Sequence, residues 1–246
     1  MPFAAAKCTQ CGANLQVDST KDAAICNYCE TPFITEKAIN NYNTFNNIIA
    51  QTVNVYGGNS ADFVIRAGTL ERYNGAATDV VIPNSVTFIA KDAFFDCQGL
   101  TSVIIPKGVT NLTDFAFFYC ISLKSVTIPE SVTSIGGAAF GNCRRLKSIN
   151  LPESVTSIGY GAFSNCTELK SINIPESITS VGKDAFSYCT GLTSINIPES
   201  ITSIGEDAFR GCTGLTTVKI SKSNWNRFSD CFQITPYYNK QKQSSR

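Results

Sequence analysis

The chain contains no histidine among its 246 residues. Catalysis by a Ser-His-Asp or Cys-His arrangement is therefore excluded within this chain, and so is every metal site that needs an imidazole ligand. The sequence also contains no phosphate-binding loop and no cluster typical of an open catalytic metal site. We therefore expect a protein that is not an enzyme.

A dominant charge and a long apolar run are also missing. Lysine and arginine number 20 against 19 acidic residues, which leaves a net charge of +1 and no overall attraction to nucleic acid or anionic lipid. No apolar stretch is long enough to span a bilayer, and the N-terminus has no basic region followed by an apolar run. These absences predict a cytoplasmic protein without a membrane segment.

A 23-residue unit fills the centre of the chain. It occurs six times without insertion or deletion over residues 82–219, and its third copy, residues 128–150, reads IPESVTSIGGAAFGNCRRLKSIN. A short fixed period indicates stacked units, each of which buries an apolar face on its neighbours. The sequence thus predicts a repeat solenoid.

Recurring apolar positions indicate which side chains form the core. Valine, isoleucine or leucine fills three columns, and three further columns hold one residue type in all six units. Those three are Phe94, Phe117, Phe140, Phe163, Phe186 and Phe209; Cys97, Cys120, Cys143, Cys166, Cys189 and Cys212; and Leu100, Leu123, Leu146, Leu169, Leu192 and Leu215. Free cysteine packs as a small apolar group and the cytosol keeps thiols reduced, so we expect a buried, reduced cysteine column.

Each unit combines extended and turning segments. Residues 146–151 follow a pattern close to the LxxLxL core of leucine-rich repeats. Pro152 cannot donate to a ladder and should end this strand. A second extended run over residues 155–158 ends at Gly159, and the following xxAFxxC segment is predicted to form a short helical turn. The fold class expected is a mostly β leucine-rich-repeat solenoid with short helical turns.

The full pattern of the unit, IPxSVTSIGxxAFxxCxxLxSV, resembles the BspA-type leucine-rich repeats, also called the Treponema pallidum type. The resemblance covers residues 82–219 almost without exception. It implies the leucine-rich-repeat fold. It says little about function, because that family includes surface adhesins that contact host proteins as well as members without a known activity.

The segments on either side of the repeats are expected to cap the solenoid. Residues 62–81 are predicted to form a β-hairpin cap with a turn at Gly68. Residues 220–246 are predicted to form a degenerate C-terminal cap and a disordered tail, in which Phe232 keeps the phenylalanine register while Asn224 and Arg227 replace apolar residues. Polar terminal units keep the ends of a solenoid soluble.

Residues 1–35 contain two Cys-x-x-Cys pairs, Cys8 with Cys11 and Cys26 with Cys29. Each pair can supply two thiolates to one tetrahedral Zn²⁺. The segment has too few apolar residues for a stable core of its own, and metal binding would supply about 10 kcal/mol of folding free energy. The pattern predicts a zinc ribbon with a structural Zn²⁺, since four thiolates leave no open coordination position.

Two disulfides or a redox dithiol are the alternatives for these cysteines. A thioredoxin-type pair lies at the start of a helix within a βαβ unit, and neither pair has that context. The segments CTQCGANLQVD and AAICNYCETPF also resemble the small zinc ribbons at the N-termini of many bacterial multidomain proteins, which supports the zinc assignment.

Residues 36–61 connect the ribbon to the cap. Apolar residues at helical spacing, among them Ile39, Tyr42 and Phe45, predict a helix over residues 36–52 that is followed by a flexible break at residues 57–60. The helix would pack on a neighbouring module or serve in docking or oligomerisation. The many asparagines of this segment are also compatible with disorder, because asparagine is a poor helix former.

Polar columns beside the strands mark a candidate partner-binding surface, which we call the strand face. Its members are Lys124, Lys147 and Lys170; Ser148 and Ser171; and Asn150, Asn173 and Asn196. An acidic column, Glu130, Glu153, Glu176 and Glu199, lies just past the strands. An extended docking face for a protein or peptide is one explanation of these columns. Recent duplication of one unit is the other.

The first two units depart from this regularity. Phe95, Phe118 and Tyr119 lie beside the phenylalanine or cysteine columns, where other units carry small or polar residues, and Phe115 is a further outlier. This local excess of apolar side chains indicates a contact patch or a seat for the connector.

The sequence favours a non-catalytic interaction or scaffold protein whose partner is a protein or peptide. Nucleic-acid binding through the ribbon is an alternative, although residues 1–35 hold two lysines against three acidic residues and thus no basic excess. An exported surface adhesin is a second alternative, which rests on the family resemblance alone.

Overall fold

A computed structural model describes residues 60–232 and the backbone of four short strands nearer the N-terminus. The chain divides into two units, Met1–Val55 and Tyr56–Arg246. The helix predicted over residues 36–52 and the disordered tail predicted at the C-terminus lie outside the described residues.

Two antiparallel hairpins make up the described part of the first unit. Their strands are β1 (Phe3–Lys7), β2 (Asn14–Asp18), β3 (Ala23–Ile25) and β4 (Pro32–Ile34). β1 pairs with β2 so that Lys7 lies opposite Asn14, and β3 pairs with β4 so that Ile25 lies opposite Pro32. In the sequence, each Cys-x-x-Cys pair falls between the two strands of one hairpin.

A β-hairpin opens the second unit. Strands β5 (Phe63–Arg66) and β6 (Thr69–Tyr73) pair antiparallel after a short 3-10 helix at Ser60–Asp62. Gly68 has a φ of +78° in the tight connection between them, a conformation that glycine adopts without strain. β6 also pairs in parallel with the strand Phe88–Ile89 of the first repeat, and this pairing attaches the hairpin to the repeats.

Each turn of the solenoid contributes two short strands. We number the turns one to six, from residues 82–104 to residues 197–219. Three-residue strands are β7 (Asp79–Val81), β9 (Ser102–Ile104), β11 (Ser125–Thr127), β13 (Ser148–Asn150), β15 (Ser171–Asn173), β17 (Ser194–Asn196) and β19 (Thr217–Lys219). Two-residue strands are β8 (Phe88–Ile89), β10 (Asn111–Leu112), β12 (Ser134–Ile135), β14 (Ser157–Ile158), β16 (Ser180–Val181) and β18 (Ser203–Ile204). The repeat solenoid predicted from the sequence is thereby confirmed.

Parallel pairing joins equivalent strands of successive turns. The two-residue strands β10 to β18 form one five-stranded sheet. The three-residue strands form two sheets, β7-β9-β11 and β13-β15-β17-β19. Partners lie 23 residues apart, as Ile149 and Ile172 do, so every side chain lies beside the equivalent side chain of the next turn. Between the described strands β11 and β13 no ladder is formed, so the strand face consists of two adjoining segments.

The xxAFxxC segments are consecutive β-turns, and the short helical turns predicted from the sequence are wrong. In each segment two residues have positive φ: Asp92, Phe115, Ala138, Gly161, Asp184 and Asp207 at the first position, and Asp96, Tyr119, Asn142, Asn165, Tyr188 and Gly211 at the second. Left-handed residues interrupt a right-handed helix, so the backbone closes separate turns, as from Cys143 N–H to the Phe140 carbonyl. Half of these positions are aspartate or asparagine, which tolerate the left-handed conformation.

An uninterrupted stack of aromatic rings runs through the core. Neighbouring ring centroids lie between 4.8 and 5.5 Å apart. The stack consists of Tyr73, Phe94, Phe117, Phe140, Phe163, Phe186, Phe209 and Phe232. All eight side chains are buried. The two caps therefore continue the core of the repeats, with Tyr73 at one end and Phe232 at the other.

The cysteine column lies beside this stack. Its four inner members, Cys120, Cys143, Cys166 and Cys189, are buried as predicted. Cys97 and Cys212 lie in the terminal turns and are only partly buried, because each lacks a complete turn on one side.

A short helix, α1 (Lys222–Phe228), forms most of the C-terminal cap. Ser221 caps its N-terminus by accepting a hydrogen bond from the Asn224 N–H. The buried Asn224 side chain donates to the Pro198 carbonyl at 3.3 Å, and Arg227 donates to the Thr202 carbonyl at 2.7 Å. These two polar residues therefore stand where the repeats have apolar ones because they bind backbone acceptors at the open end of turn six.

Candidate binding faces

The strand face presents its three lysines from equivalent positions in turns two, three and four. Lys124, Lys147 and Lys170 are all exposed, and each directly follows a buried leucine of the core. Their backbone is held by hydrogen bonds between turns, since the Lys170 N–H donates to the Lys147 carbonyl at 3.1 Å and the Lys124 N–H donates to the Thr101 carbonyl at 2.8 Å. The charged ends can therefore reach a partner while their attachment points stay fixed.

Asparagine and serine columns lie beside the lysines. Asn150, Asn173 and Asn196 are in register on β13, β15 and β17, and Ser148 pairs with Ser171. All five side chains are exposed. Adjacent strands lie about 4.8 Å apart, so the exposed amides form a regular column of donors and acceptors across the strands.

Ion pairs within residues 60–232 leave the strand face untouched. The pairs in this range are Arg66–Glu71, Lys183–Glu206 and Arg210–Asp207. The acidic column of Glu130, Glu153, Glu176 and Glu199 is exposed, and within the same range it forms no ion pair with the lysines. A basic and an acidic column are therefore both exposed on the solenoid and unpaired with each other within the described residues.

Asp79 belongs to the strand face and was missed by the sequence analysis. Its carboxylate accepts hydrogen bonds from the hydroxyls of Thr78, Thr101 and Ser102. Partial burial raises the pKa of this carboxyl, but these hydrogen bonds and the positive charge of Lys124 outweigh it and hold the pKa below its ordinary value. The strand face thus begins with a fixed negative charge. Counting back 23 residues from Ser102 would have found it.

Large exposed aromatic side chains lie on another surface, formed by the xxAFxxC segments, which we call the turn face. In turns one and two, Phe118 packs against Phe95, Phe115 and Tyr119 with ring centroids 5.1–5.9 Å apart. Farther along, Tyr160 and Tyr188 are 58% and 44% exposed. The sequence analysis singled out the first group but missed these two tyrosines. The 23-residue register would have shown Tyr188 in the column of Tyr119.

The four predicted zinc ligands, Cys8, Cys11, Cys26 and Cys29, lie outside the described residues. The hairpins β1–β2 and β3–β4 place each pair, in the sequence, at the connection of one hairpin. Within the described part of the chain, no group of three or more cysteine, aspartate or glutamate side chains is arranged to hold a metal ion.

Comparison with protein families identifies the repeats. A family model described as BspA type leucine rich repeat region matches residues 72–192 and 113–239, which together exceed half of the chain. The chain belongs to the BspA-type leucine-rich-repeat family. The resemblance seen in the sequence is thereby confirmed for the solenoid. No curated protein matches the BspA-type chain.

Solved structures of other leucine-rich-repeat proteins resemble this BspA-type solenoid. A leucine rich cell surface protein of Faecalibacterium prausnitzii shares 35% identity over 61% of this chain and 50% of that one, with a TM-score of 0.51. The leucine rich repeat protein of T. pallidum shares 28% identity over 65% of this chain and 87% of that one, with a TM-score of 0.52. The match spans only half the length of the F. prausnitzii protein.

The described residues of this BspA-type protein contain no helix with the length and apolar character needed to cross a membrane.

Proposed function

We propose that this BspA-type protein is a non-catalytic interaction or scaffold module that binds a protein or peptide through its strand face. The observation that supports this most is the lysine column: Lys124, Lys147 and Lys170 are exposed, regularly spaced and without ion pairs inside residues 60–232. Leucine-rich-repeat solenoids in general serve as binding modules, and their curvature creates extended surfaces for this purpose.

The chemistry of the strand face fits an extended, acidic segment of a partner. Lysines would attract its carboxylates, and Asn150, Asn173 and Asn196 would bind backbone groups. Each exposed ion pair contributes only about 0.2–1 kcal/mol, so several columns must act together. The neighbouring glutamate stripe would repel the same carboxylates, which restricts the partner to one orientation.

Comparative capture from a lysate of the source cell tests this proposal. The full chain, the variant Lys124→Ala/Lys147→Ala/Lys170→Ala and the control Lys107→Ala/Lys183→Ala/Lys222→Ala are immobilised in parallel, and bound proteins are quantified by mass spectrometry. A protein that the control retains and the strand-face variant loses supports the proposal. Equal retention of every bound protein by both variants contradicts it. A further sample without residues 1–61 identifies any nucleic acid bound through the N-terminal module.

We also propose that Cys8, Cys11, Cys26 and Cys29 bind one structural Zn²⁺. Two hairpins, each with a Cys-x-x-Cys pair between its strands, provide the arrangement in which two knuckles supply four thiolates. The role of the metal would be to stabilise residues 1–35, which include few large apolar side chains for a core of their own.

The cytoplasm is the compartment we propose. Seven cysteines in the described residues have free thiols, an arrangement suited to a reducing environment. The F. prausnitzii relative is a leucine rich cell surface protein, which favours the cell surface as a second candidate. Protease treatment of intact source cells separates the two: a cytoplasmic protein survives and a surface protein is degraded.

A further inference from the structure

Backbone hydrogen bonds connect the turn face from one turn to the next. The Asp96 N–H donates to the Phe118 carbonyl at 2.9 Å, and the Tyr119 N–H donates to the Gly141 carbonyl at the same distance. The pattern continues through Asn142, Asn165 and Tyr188. In the column that begins with Phe95, each carbonyl from Phe118 onward therefore accepts a hydrogen bond from a backbone N–H of the preceding turn.

Phe95 is the exception, because no full turn precedes it. The preceding residues 74–77 form the loop after β6, and the Asn74 N–H donates to the Asp62 carbonyl instead. Within residues 60–232 the Phe95 carbonyl accepts no hydrogen bond. The turn face thus begins with one open acceptor.

A cavity of about 470 Å³ lies at this open step. The loop of residues 72–77 forms one wall, and residues 95–100 form the other. Phe118 stacks on the Phe95 ring from the side of turn two, with centroids 5.9 Å apart, while Phe95 itself is 45% exposed. The remaining face of the Phe95 ring is therefore on the cavity side.

The groups around the Phe95 ring suit a cation with several N–H donors. Asp96 is one of the residues that line the cavity, and its carboxylate accepts a hydrogen bond from Gln98 Nε2 at 2.9 Å and forms no ion pair within residues 60–232. The Lys91 ammonium lies over the Phe115 ring, 5.1 Å from the ring centroid, so this cation is already in contact with another aromatic side chain. Arg72 on the opposite wall is the one cation of this lining.

We propose that this cavity binds an arginine side chain of a partner protein. The guanidinium would stack on the open face of Phe95, donate to the Asp96 carboxylate and donate to the Phe95 carbonyl. A planar guanidinium can stack face to face on the ring and donate from its edge to both oxygens, whereas an ammonium has no planar face to stack and is more strongly hydrated. The inference rests on the proposed function, since it assigns a second anchor point for a protein partner on a surface separate from the strand face.

Residues 1–59 of the chain contain no arginine, so they cannot supply the side chain. The arginines at 66, 72, 144, 145, 210 and 227 are part of the described fold, and Arg246 lies outside the described residues. The proposal commits to a partner as the source of the arginine, and stronger binding of the arginine peptide by the variant Arg246→Gln would show instead that the chain's own terminus occupies the cavity.

Titration of the isotopically labelled full chain with the peptide acetyl-Gly-Arg-Gly-amide, followed by NMR, tests the site. We expect saturable shifts of the backbone amides of residues 74–77 and 95–100, with a dissociation constant on the order of 1 mM. The matched peptide with citrulline in place of arginine keeps the planar shape but lacks the charge, and it should bind at least about tenfold more weakly.

The repeats themselves supply conservative variants. Phe95→Ser introduces the residue that Ser164 and Ser187 place in the same column, and it should weaken binding about fivefold. Asp96→Asn introduces the residue found at Asn142 and Asn165, which have nearly the same φ as Asp96, and it should weaken binding about tenfold. Arg72→Gln should strengthen binding, because it removes the competing cation.

Tyr188→Asn, on the turn face but four turns away, is the matched control and should leave the peptide affinity unchanged. Equal binding of the arginine and citrulline peptides, or unaltered affinity in Phe95→Ser and Asp96→Asn, overturns the proposal. So do shifts spread over acidic residues of the whole surface. The strand-face lysine variant separates the two proposals: if it loses its captured protein while the peptide shows no site, the proposed function stands and this inference fails.

Discussion

The thiol of Cys166 donates a hydrogen bond to the backbone carbonyl of Phe140, with 3.2 Å between Sγ and O. The same contact recurs from Cys120 to Phe94, from Cys143 to Phe117, from Cys189 to Phe163 and from Cys212 to Phe186, with distances of 3.0–3.2 Å. Each cysteine therefore both fills a small apolar space and supplies a donor to a carbonyl of the preceding turn. This dual role explains why the column holds cysteine rather than alanine.

Alkaline pH should destabilise the solenoid. Burial raises the pKa of Cys143 well above the ordinary value of 9.0, and burial likewise raises the pKa of Cys97 to about 11 against the opposing charge of Arg72. An unfolded thiol ionises near pH 9 while the buried one stays protonated, so stability is complete below pH 9 and decreases as pH rises above it. Each fully buried thiol should cost about 1.4 kcal/mol per pH unit in that range.

Thermal melts of the reduced protein between pH 7 and pH 11 measure this effect. Cys143→Ala has one buried thiol fewer, so its melting temperature should fall less steeply above pH 9, although it starts lower. Lysine and tyrosine titrate equally in both proteins. Parallel curves for the two proteins would show that the thiols do not cause the decrease.

Phe163 should contribute more to stability than Phe232. Its ring lies 5.5 Å from Phe140 and 5.4 Å from Phe186, so truncation removes contacts on both sides. Phe163→Ala should cost about 3–5 kcal/mol and uncouple or unfold the two halves of the array. Phe232 is stacked on Phe209 at 4.8 Å and on Trp225 at 6.1 Å, and no repeat follows it among the described residues, so Phe232→Ala should cost less.

Urea denaturation followed by circular dichroism compares the two variants. Besides Phe209 in the preceding turn, Phe232 has a second aromatic contact, Trp225, within the cap itself. Equal losses of stability would therefore mean that the C-terminal cap packs as tightly as a full repeat.

Gly159 should tolerate no side chain. A Cβ atom at this position would lie 2.7 Å from the carbonyl carbon of Gly136 and 2.8 Å from the nitrogen of Gly137, in the turn before it. Both contacts are with backbone, which cannot move aside, so Gly159→Ala should destabilise by at least about 1–3 kcal/mol. A Cβ at Gly99 meets nothing within 4 Å, and Gly99→Ala should change stability by less than about 1 kcal/mol. Urea midpoints that do not separate the two variants would rule out this close approach of turns.

Much of the fold was readable from the sequence because the repeats are nearly identical. The residues of one column, such as Phe94 to Phe209, occupy the same place in every turn, either in the core or on the surface. Because all six are large and apolar, the column is expected in the core. The register of the strand pairing could be predicted from the same near-identity of the repeats, since Ile149 pairs with Ile172, the equivalent residue of the next repeat.

The incorrect predictions concern segments whose structure depends on the local backbone conformation. The xxAFxxC segment was predicted to form a short helical turn, yet Asn142 and Asn165 adopt positive φ and close β-turns instead. In the C-terminal cap, Asn224 suggested a lost core position, whereas its amide binds the Pro198 carbonyl and Ser221 starts a helix there. Neither contact is visible in a column of residue types. The break between β11 and β13 likewise has no signal in the repeat pattern.

The zinc proposal predicts about one equivalent of Zn²⁺ in protein purified without added metal. Elemental analysis measures it directly. Cys26→Ser should release the metal and loosen only the N-terminal unit, because the solenoid has its own core, while the control Cys231→Ser should retain the metal. Metal-free protein with an N-terminal unit that resists proteolysis would refute the assignment.

The most direct test of the account is the affinity of the full chain for the partner captured through the strand face, measured by titration calorimetry. The variant Lys124→Ala/Lys147→Ala/Lys170→Ala should keep the melting temperature of the parent, because all three side chains are exposed, and should bind at least about tenfold more weakly. The control Lys107→Ala/Lys183→Ala/Lys222→Ala should bind like the parent. Equal affinity of the two triple variants, with the fold of both intact, would contradict the claim that this surface is where the protein binds its partner.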